Sequence, residues 1–249
     1  METPPTLHLQ SALFLDFDGT LVDIAETPDA VHVTPALIET LTALHGLLGG
    51  ALAIISGRQI DALDRFLEPL TLPSAGEHGA QRRDAHGKLE EQAAPDLSAV
   101  VQAANALSRA YPGVIVERKH AAVSVHYRLA PQWEEACRHE MQAAAAHNSR
   151  LEVMFGKCVV DIKLASIDKG IAIDAFMQEA PFQGRTPFFL GDDTTDESGF
   201  SAVQHMNGVA VKVGIGPSGA LHRLADPANV LRWLGNARNQ LTVDLSARS

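Results

Sequence analysis

Apolar residues fall along this chain in two rhythms. Short unbroken runs, Ala12-Leu13-Phe14-Leu15, Ala51-Leu52-Ala53-Ile54-Ile55, Phe188-Phe189-Leu190 and Val209-Ala210-Val211, are too short for helices. Each reads as a strand buried on both faces, the mark of a parallel sheet. Between the first two, residues 35–48 place Leu37, Leu41, Leu44 and Leu48 at helical spacing and stop at Gly49-Gly50. Strand, helix, strand of this kind is a βαβ unit whose strands are parallel neighbours, which sets Ser56 beside Asp16. Helices are predicted over 59–67 and 168–180. Closing helices are predicted over 217–224 and 228–234, with a frayed tail after Trp233.

From about Gln81 to Lys163 the rhythm changes. Residues 82–91 read as a hairpin about His86-Gly87, and 96–110 as an amphipathic helix with Leu97, Val100, Val101, Ala104 and Leu107 on one stripe. Residues 114–119 and 122–128 alternate with period two, as antiparallel strands with one wet face do. A second helix (131–147) and a strand pair about Gly156 follow. This αββαββ stretch, bracketed by βαβ patterns, predicts an insertion. The expected organisation is a parallel core over 1–82 and 164–249, interrupted by a second domain over 83–163.

Composition narrows the function. With 30 acidic against 20 basic residues the net charge is −10, which disfavours nucleic acid and anionic membranes as partners. No apolar run reaches the ~18 residues a membrane span needs, and the first ten residues carry no signal-peptide pattern. Two cysteines, Cys137 and Cys158, make neither a disulfide framework nor a metal motif. A cytoplasmic protein is expected.

Candidate chemistry gathers where strands end or helices begin. Asp16 and Asp18 follow the first strand, and residues i and i+2 of an extended segment face one way. Adjacent carboxylates call for a cation, and hard oxygen ligands suit Mg²⁺. Ser56 closes the second strand and Lys169 opens a helix, where its charge opposes the macrodipole and so points to a ligand. Asp192, Asp193 and Asp196 follow a later strand. Each cluster alone has a plainer reading: Ser56-Gly57-Arg58 as a turn, the last cluster as a helix N-cap with acidic first-turn residues. Together they supply phosphoryl transfer through an aspartyl-phosphate. Asp16 is the nucleophile and Asp18 the acid and base. Lys169 is a fixed cation, Ser56 and the backbone N–H groups after Asp16 are donors, and Mg²⁺ bridges Asp16 to the Asp192 cluster.

In the 83–163 segment, Glu117 and Lys119 share one strand face, His126 and Arg128 another, and Lys157 and Asp161 a third. Such a surface of alternating donors and acceptors grips sugar hydroxyls; a solvated sheet face is the alternative.

Asp16-Phe17-Asp18-Gly19-Thr20, Ser56, Lys169 and Gly191-Asp192-Asp193, in this order, resemble the four signatures of the haloacid-dehalogenase-like phosphatases. Ser56-Gly57-Arg58, Glu77-His78-Gly79, Val125-His126-Tyr127-Arg128, Gly156-Lys157-Cys158-Val159-Val160-Asp161 and Gly191-Asp192-Asp193-Thr194-Thr195-Asp196-Glu197 are similar to segments of its trehalose-6-phosphate phosphatase branch, and the likeness runs from about Ala12 to Trp233. The resemblance implies a Rossmann-like α/β core with an inserted α+β cap, and Mg²⁺ held by Asp16, the Asp18 carbonyl and either Asp192 or Asp193, with Asp192 favoured. It implies substrate binding by Gly19, Thr20, Arg58, Glu117, Lys119, His126, Arg128, Lys157 and Asp161, and a monomer acting on trehalose 6-phosphate. Asp161 stands where the family usually has Glu, and Leu164 where it commonly has Pro. A phosphatase for another sugar phosphate, such as sucrose 6-phosphate, and a non-catalytic sugar-phosphate sensor are the competing readings. His78 and His126 are each equally open to a structural role.

Overall fold

The computed structural model describes residues 3–247. The unbroken apolar runs form the central strands of one large sheet, and short polar strands extend it at both edges. These are β1 (Ser11–Leu15), β2 (Leu52–Ile55), β3 (Ser74–Gly76), β4 (Gln81–Arg83) and β5 (Leu89–Glu91). Late in the chain β10 (Thr186–Gly191), β11 (Val209–Val213) and β12 (His222–Leu224) complete it. The order is β12-β11-β10-β1-β2-β3-β4-β5, with β12 through β3 parallel and β4 and β5 an antiparallel hairpin.

Two helices, α1 (Pro35–Leu47) and α2 (Ile60–Leu67), link the early strands. In the second half α5 (Lys169–Met177), α6 (Glu197–His205) and α7 (Pro227–Ser246) alternate with or follow the strands. The chain moves outward from β1 in one direction, then returns to β1's other side at β10 and moves outward the opposite way. Right-handed crossovers therefore put α1 and α6 on opposite faces. Packing agrees: α1 lies against α7, and α5 against α6. Phe14, Phe176 and Phe182 fill the interior around β1, with ring centroids 5.1–6.0 Å apart.

The inserted segment builds its own layers. Helices α3 (Ser98–Ala110) and α4 (Glu134–Ala145) cover a four-stranded antiparallel sheet of β6 (Ile115–Arg118), β7 (Val123–His126), β8 (Leu151–Gly156) and β9 (Val159–Leu164), in the order β6-β7-β9-β8. Alternation decides which face is which. Val123, Val125, Val160 and Ile162 join Val100, Ala104, Leu107, Cys137 and Met141 in a separate core. Ser124 and Asp161, directly opposite in register, take the other face.

Four expectations are corrected. The hairpin placed with the insertion beyond residue 82 pairs with β3 and extends the large sheet; its hydrogen-bonding edge, not its sequence rhythm, decides the partner. Residues 222–224, read as helix, are a three-residue strand, too short to announce itself by alternation. The helix expected over 131–147 begins as a 3-10 turn and becomes α-helical only from Glu134. The tail after Trp233 is ordered helix, because Ala237 and Leu241 continue the buried stripe of Val230, Trp233 and Leu234 to Ser246; residues 248 and 249 lie outside the described ones.

Candidate active site

In an open parallel sheet the crevice lies where neighbouring strands send their crossovers in opposite directions, beyond the carboxyl ends. Here that point lies between β1 and β10. Asp16 follows β1, its backbone N–H donating to Leu190 O at 3.0 Å, and Asp192 follows β10. Topology alone thus joins the first and last acidic motifs.

Asp168 caps α5 by accepting from Ile171 N at 2.8 Å, so Lys169 is the first helical residue and projects from the N-terminus into the crevice. Its ammonium donates to Asp16 Oδ1 and to Asp196 Oδ1, both at 2.6 Å. All three groups are buried, Asp16 at 4%, Lys169 at 3% and Asp196 at 0% exposure. Burial pushes the Asp16 carboxyl well above the usual carboxylate range, Lys169 pulls it back without winning, and Asp196 and Asp192 add to the rise. Burial alone would lower Lys169, but the two carboxylates outweigh it and raise its pKa.

The acidic segment after β10 folds tightly. Asp193 caps a 3-10 turn through Thr194 N, at 2.8 Å, and Asp196 bends back to complete the capping box. Asp196 Oδ2 accepts from Asp192 N at 2.8 Å and Asp193 N at 2.9 Å while its other oxygen holds Lys169. Asp196 therefore ties three pieces of the site together. Asp192 faces the crevice; Lys157 of the cap donates to its Oδ2, and the Lys212 ammonium donates to its backbone oxygen from β11. Burial raises the Asp192 carboxyl, partly offset by Lys157.

One carboxylate oxygen from each of Asp16, Asp192 and Asp196 lies within 4.8 Å of the other two. Among the described residues these three buried carboxylates pair with two lysines, the buried Lys169 on Asp16 and Asp196 and the half-exposed Lys157 on Asp192, while Lys212 is turned to the Asp192 backbone oxygen. This donor set of hard oxygens with a deficit of positive charge fits a divalent cation. Asp16 and Asp192 offer the freer oxygens; Asp196 is spoken for on both. Asp193, expected as an alternative ligand, is occupied in the cap of its turn.

Asp18 lines the same cleft, where Arg58 grips it with Nε at 2.6 Å and Nη2 at 2.7 Å. Arg58 is itself wedged against the rings of Phe17 and Phe66, 5.5 and 4.8 Å from their centroids. Ser56 sits buried at the cleft floor, its Oγ accepting from Arg58 N at 3.2 Å. Gly19 has φ of +79°, and a Cβ there would stand inside the Asp192 carboxylate. Thr20 is wholly buried with its hydroxyl unpartnered, and neither Gly19 nor Thr20 lines the cleft.

The roof is the wet face of the small sheet. Glu117 Oε2 lies 2.9 Å from His126 Nε2 and 3.7 Å from Lys119 Nζ. Burial alone would raise Glu117, yet His126, Lys119 and Arg58 hold it at about 2. Asp161 takes the Ser124 hydroxyl, and its pKa is lowered because Lys119, His78 and that bond outweigh burial. Arg128 donates to Lys157 O at 2.8 Å. All of the predicted cap residues, together with His78, line the one cleft. Lys157, expected to share a strand face with Asp161, sits instead in the β8–β9 turn, because β9 begins only at Val159.

Sequence reasoning missed three groups: Asp196 as the organiser of the acidic motif, Lys212 beneath Asp192, and Glu77. The three-residue spacing of Asp193 and Asp196 is the capping-box signature and was the available signal for the first. Lys212 on a buried strand had the signal of a charge where none belongs.

A profile of the family described as Trehalose-phosphatase matches residues 14–228. The chain is 45% identical over 235 residues to the trehalose-6-phosphate phosphatase of Escherichia coli (strain K12), covering 92% of this chain and 87% of that one. It is 42% identical over 205 residues to a probable trehalose-phosphate phosphatase of Sinorhizobium fredii (82% and 77%). In fold it is similar to the C-terminal domain of the C. albicans trehalose-6-phosphate phosphatase, with a TM-score of 0.84, 24% identity and 93% of each chain covered. A match that runs from β1 through the cap and past the last acidic motif leaves one conclusion: the chain belongs to the trehalose-phosphatase family.

Proposed function

We propose that this protein hydrolyses trehalose 6-phosphate to trehalose and phosphate, with residues 98–164 as the cap that selects the sugar. The observation carrying the reading is the buried Asp16–Lys169–Asp196 triad, set beside Asp192 at the crossover point and roofed by a polar sheet face, in a chain of this family.

Asp16 attacks phosphorus with the carboxylate oxygen that Lys169 leaves free, and the bond from phosphorus to the sugar O6 breaks. Asp18, aimed by Arg58, gives the departing alkoxide its proton. A water then attacks the aspartyl-phosphate, Asp18 takes its proton, and Asp16 is regenerated. Lys169 and the Ser56 hydroxyl hold the phosphoryl oxygens in place. Asp16 and Asp192, with the Asp18 carbonyl, would hold Mg²⁺, which supplies positive charge to keep Asp16 ionised and to offset the charge spreading over the phosphoryl group. Glu117, Lys119, His126, Arg128, Lys157 and Asp161 meet the sugar hydroxyls from above. A monomer in the cytoplasm, with no nucleic acid or membrane partner, is part of this reading; among the described residues no helix is long and apolar enough to cross a membrane.

The test is a panel of sugar phosphates with Mg²⁺ and detection of free phosphate. Trehalose 6-phosphate is expected to exceed sucrose 6-phosphate and glucose 6-phosphate in kcat/KM by at least a hundredfold. Preference for another sugar, or binding without phosphate release, overturns the proposal.

A further inference from the structure

We infer that Glu77 fixes the turn between β6 and β7 to the core as the pivot of the cap, so that Lys119 stays at the cleft while Lys157 arrives and leaves. Glu77 belongs to the core, directly after β3. Its side chain is 1% exposed, and its backbone sits in the left-handed region at φ +48°, a costly conformation for a residue with a Cβ. What that conformation achieves is the aim of the carboxylate. Oε1 accepts from His120 N at 2.8 Å and from Gln59 Nε2 at 3.0 Å, and Oε2 accepts from Ala121 N at 2.7 Å. Two successive amides of a cap turn thus close on one buried core carboxylate. Lys119, next in the same turn, donates to Gly57 O of the core at 2.8 Å.

The pinned turn lies where the two chain crossings between core and cap meet. The first crossing is residues 92–97; the His120 ring reaches Gln92 O at 3.1 Å, and Gln92 N donates to Ala80 O at 2.8 Å. The second is residues 165–168; Ala121 packs with Leu164, Ile167 and Ala80 in a small buried cluster separate from both main cores. A hinge must pass through the crossings, and this turn is wedged between them.

A second contact between cap and core, at the cleft's edge, is of a different kind. At the β8–β9 turn, Lys157 reaches Asp192 with its side chain 46% exposed, Lys157 N meets Asp193 Oδ2 at a long 3.3 Å, and Thr194 Oγ1 donates to Phe155 O at 3.0 Å. Water can replace each of these as it breaks. Water cannot reach Glu77 without prising the turn away, and that would strand a buried carboxylate. Opening therefore proceeds at Lys157 and not at Lys119.

The test is residue-resolved amide exchange on the ligand-free wild-type protein, which needs no substrate and stands apart from the trehalose 6-phosphate reading. His120 and Ala121 are expected to exchange at least a hundredfold more slowly than Lys157. Equal protection at the three amides would overturn the pivot. In a Glu77→Gln variant, where one oxygen becomes a donor facing donors, protection at His120 and Ala121 is expected to fall at least tenfold while the strand amides of β6 and β7 keep theirs. The same variant, assayed with trehalose 6-phosphate, is expected to raise KM at least tenfold with kcat within threefold. No change in exchange, or a loss confined to kcat, overturns the assignment. If the variant does not fold, the wild-type comparison decides.

Discussion

Asp16 in the core and Arg128 in the cap line one cleft, yet they are held in different ways. Asp16 is buried at the end of a strand with parallel neighbours on both sides, and its partner Lys169 is fixed by a capped helix. Arg128 rests on a single backbone oxygen at the protein surface. The core arrangement has no slack, because Asp16, Lys169 and Asp196 are buried and answer one another. The cap arrangement has spare hydrogen-bonding capacity, because Glu117, His126, Arg128 and Lys157 line the cleft while still partly exposed. Chemistry on phosphorus needs fixed geometry, whereas sugar recognition needs donors and acceptors free to accept a guest.

The sharpest way to break this contrast is Asp16→Asn. Turnover of both trehalose 6-phosphate and a small aryl phosphate is expected to fall roughly 10⁴-fold or more, read by phosphate release; residual activity near wild type would mean that another group attacks. Next is Lys169→Met, which leaves Asp16 and Asp196 buried without their cation. A loss of about 3–5 kcal/mol in urea unfolding is expected, and an unchanged midpoint would show the core to be far more forgiving than its burial implies. On the cap side, Arg128→Ala is expected to cost roughly 1.5–3 kcal/mol in kcat/KM for trehalose 6-phosphate, with little effect on the aryl phosphate. Equal losses on both would erase the division of labour.

The smallest effect belongs to His78, which lies at the junction of the two regions. Burial holds its pKa down at about 3. The unfolded chain binds that proton near 6.5, so stability is full above pH 6.5 and declines as the pH falls toward 3, by at most ~1.4 kcal/mol per pH unit. His78→Gln is expected to shrink the difference in unfolding free energy between pH 6.5 and 5.5 by roughly 1 kcal/mol. An unaltered slope would place the histidine in contact with water.

Much of the core could be read from residue order, because short apolar runs closed by polar residues leave few alternatives to a parallel sheet, and the site of such a sheet is fixed by topology. Asp16, Ser56, Lys169 and Asp192 were legible for that reason. Asp193 and Asp196 were not separable by the same logic. Which of the two turns inward depends on the capping box of one 3-10 turn, not on hydrophobic pattern. Glu77 escaped notice because its role rests on a left-handed backbone and on amides 43 and 44 residues away. Short edge strands such as β12 lack the length for a pattern, and α7 outran its expected end because polar residues mask a stripe that tertiary packing still uses.

Gly19 carries a consequence beyond its own turn. The space its missing side chain leaves is filled by the carboxylate of Asp192, contributed from the far end of the chain. An alanine there would tax the backbone and also evict a group that the first loop never touches in sequence. Two segments that meet only in the finished fold are thereby made to tolerate change jointly or not at all.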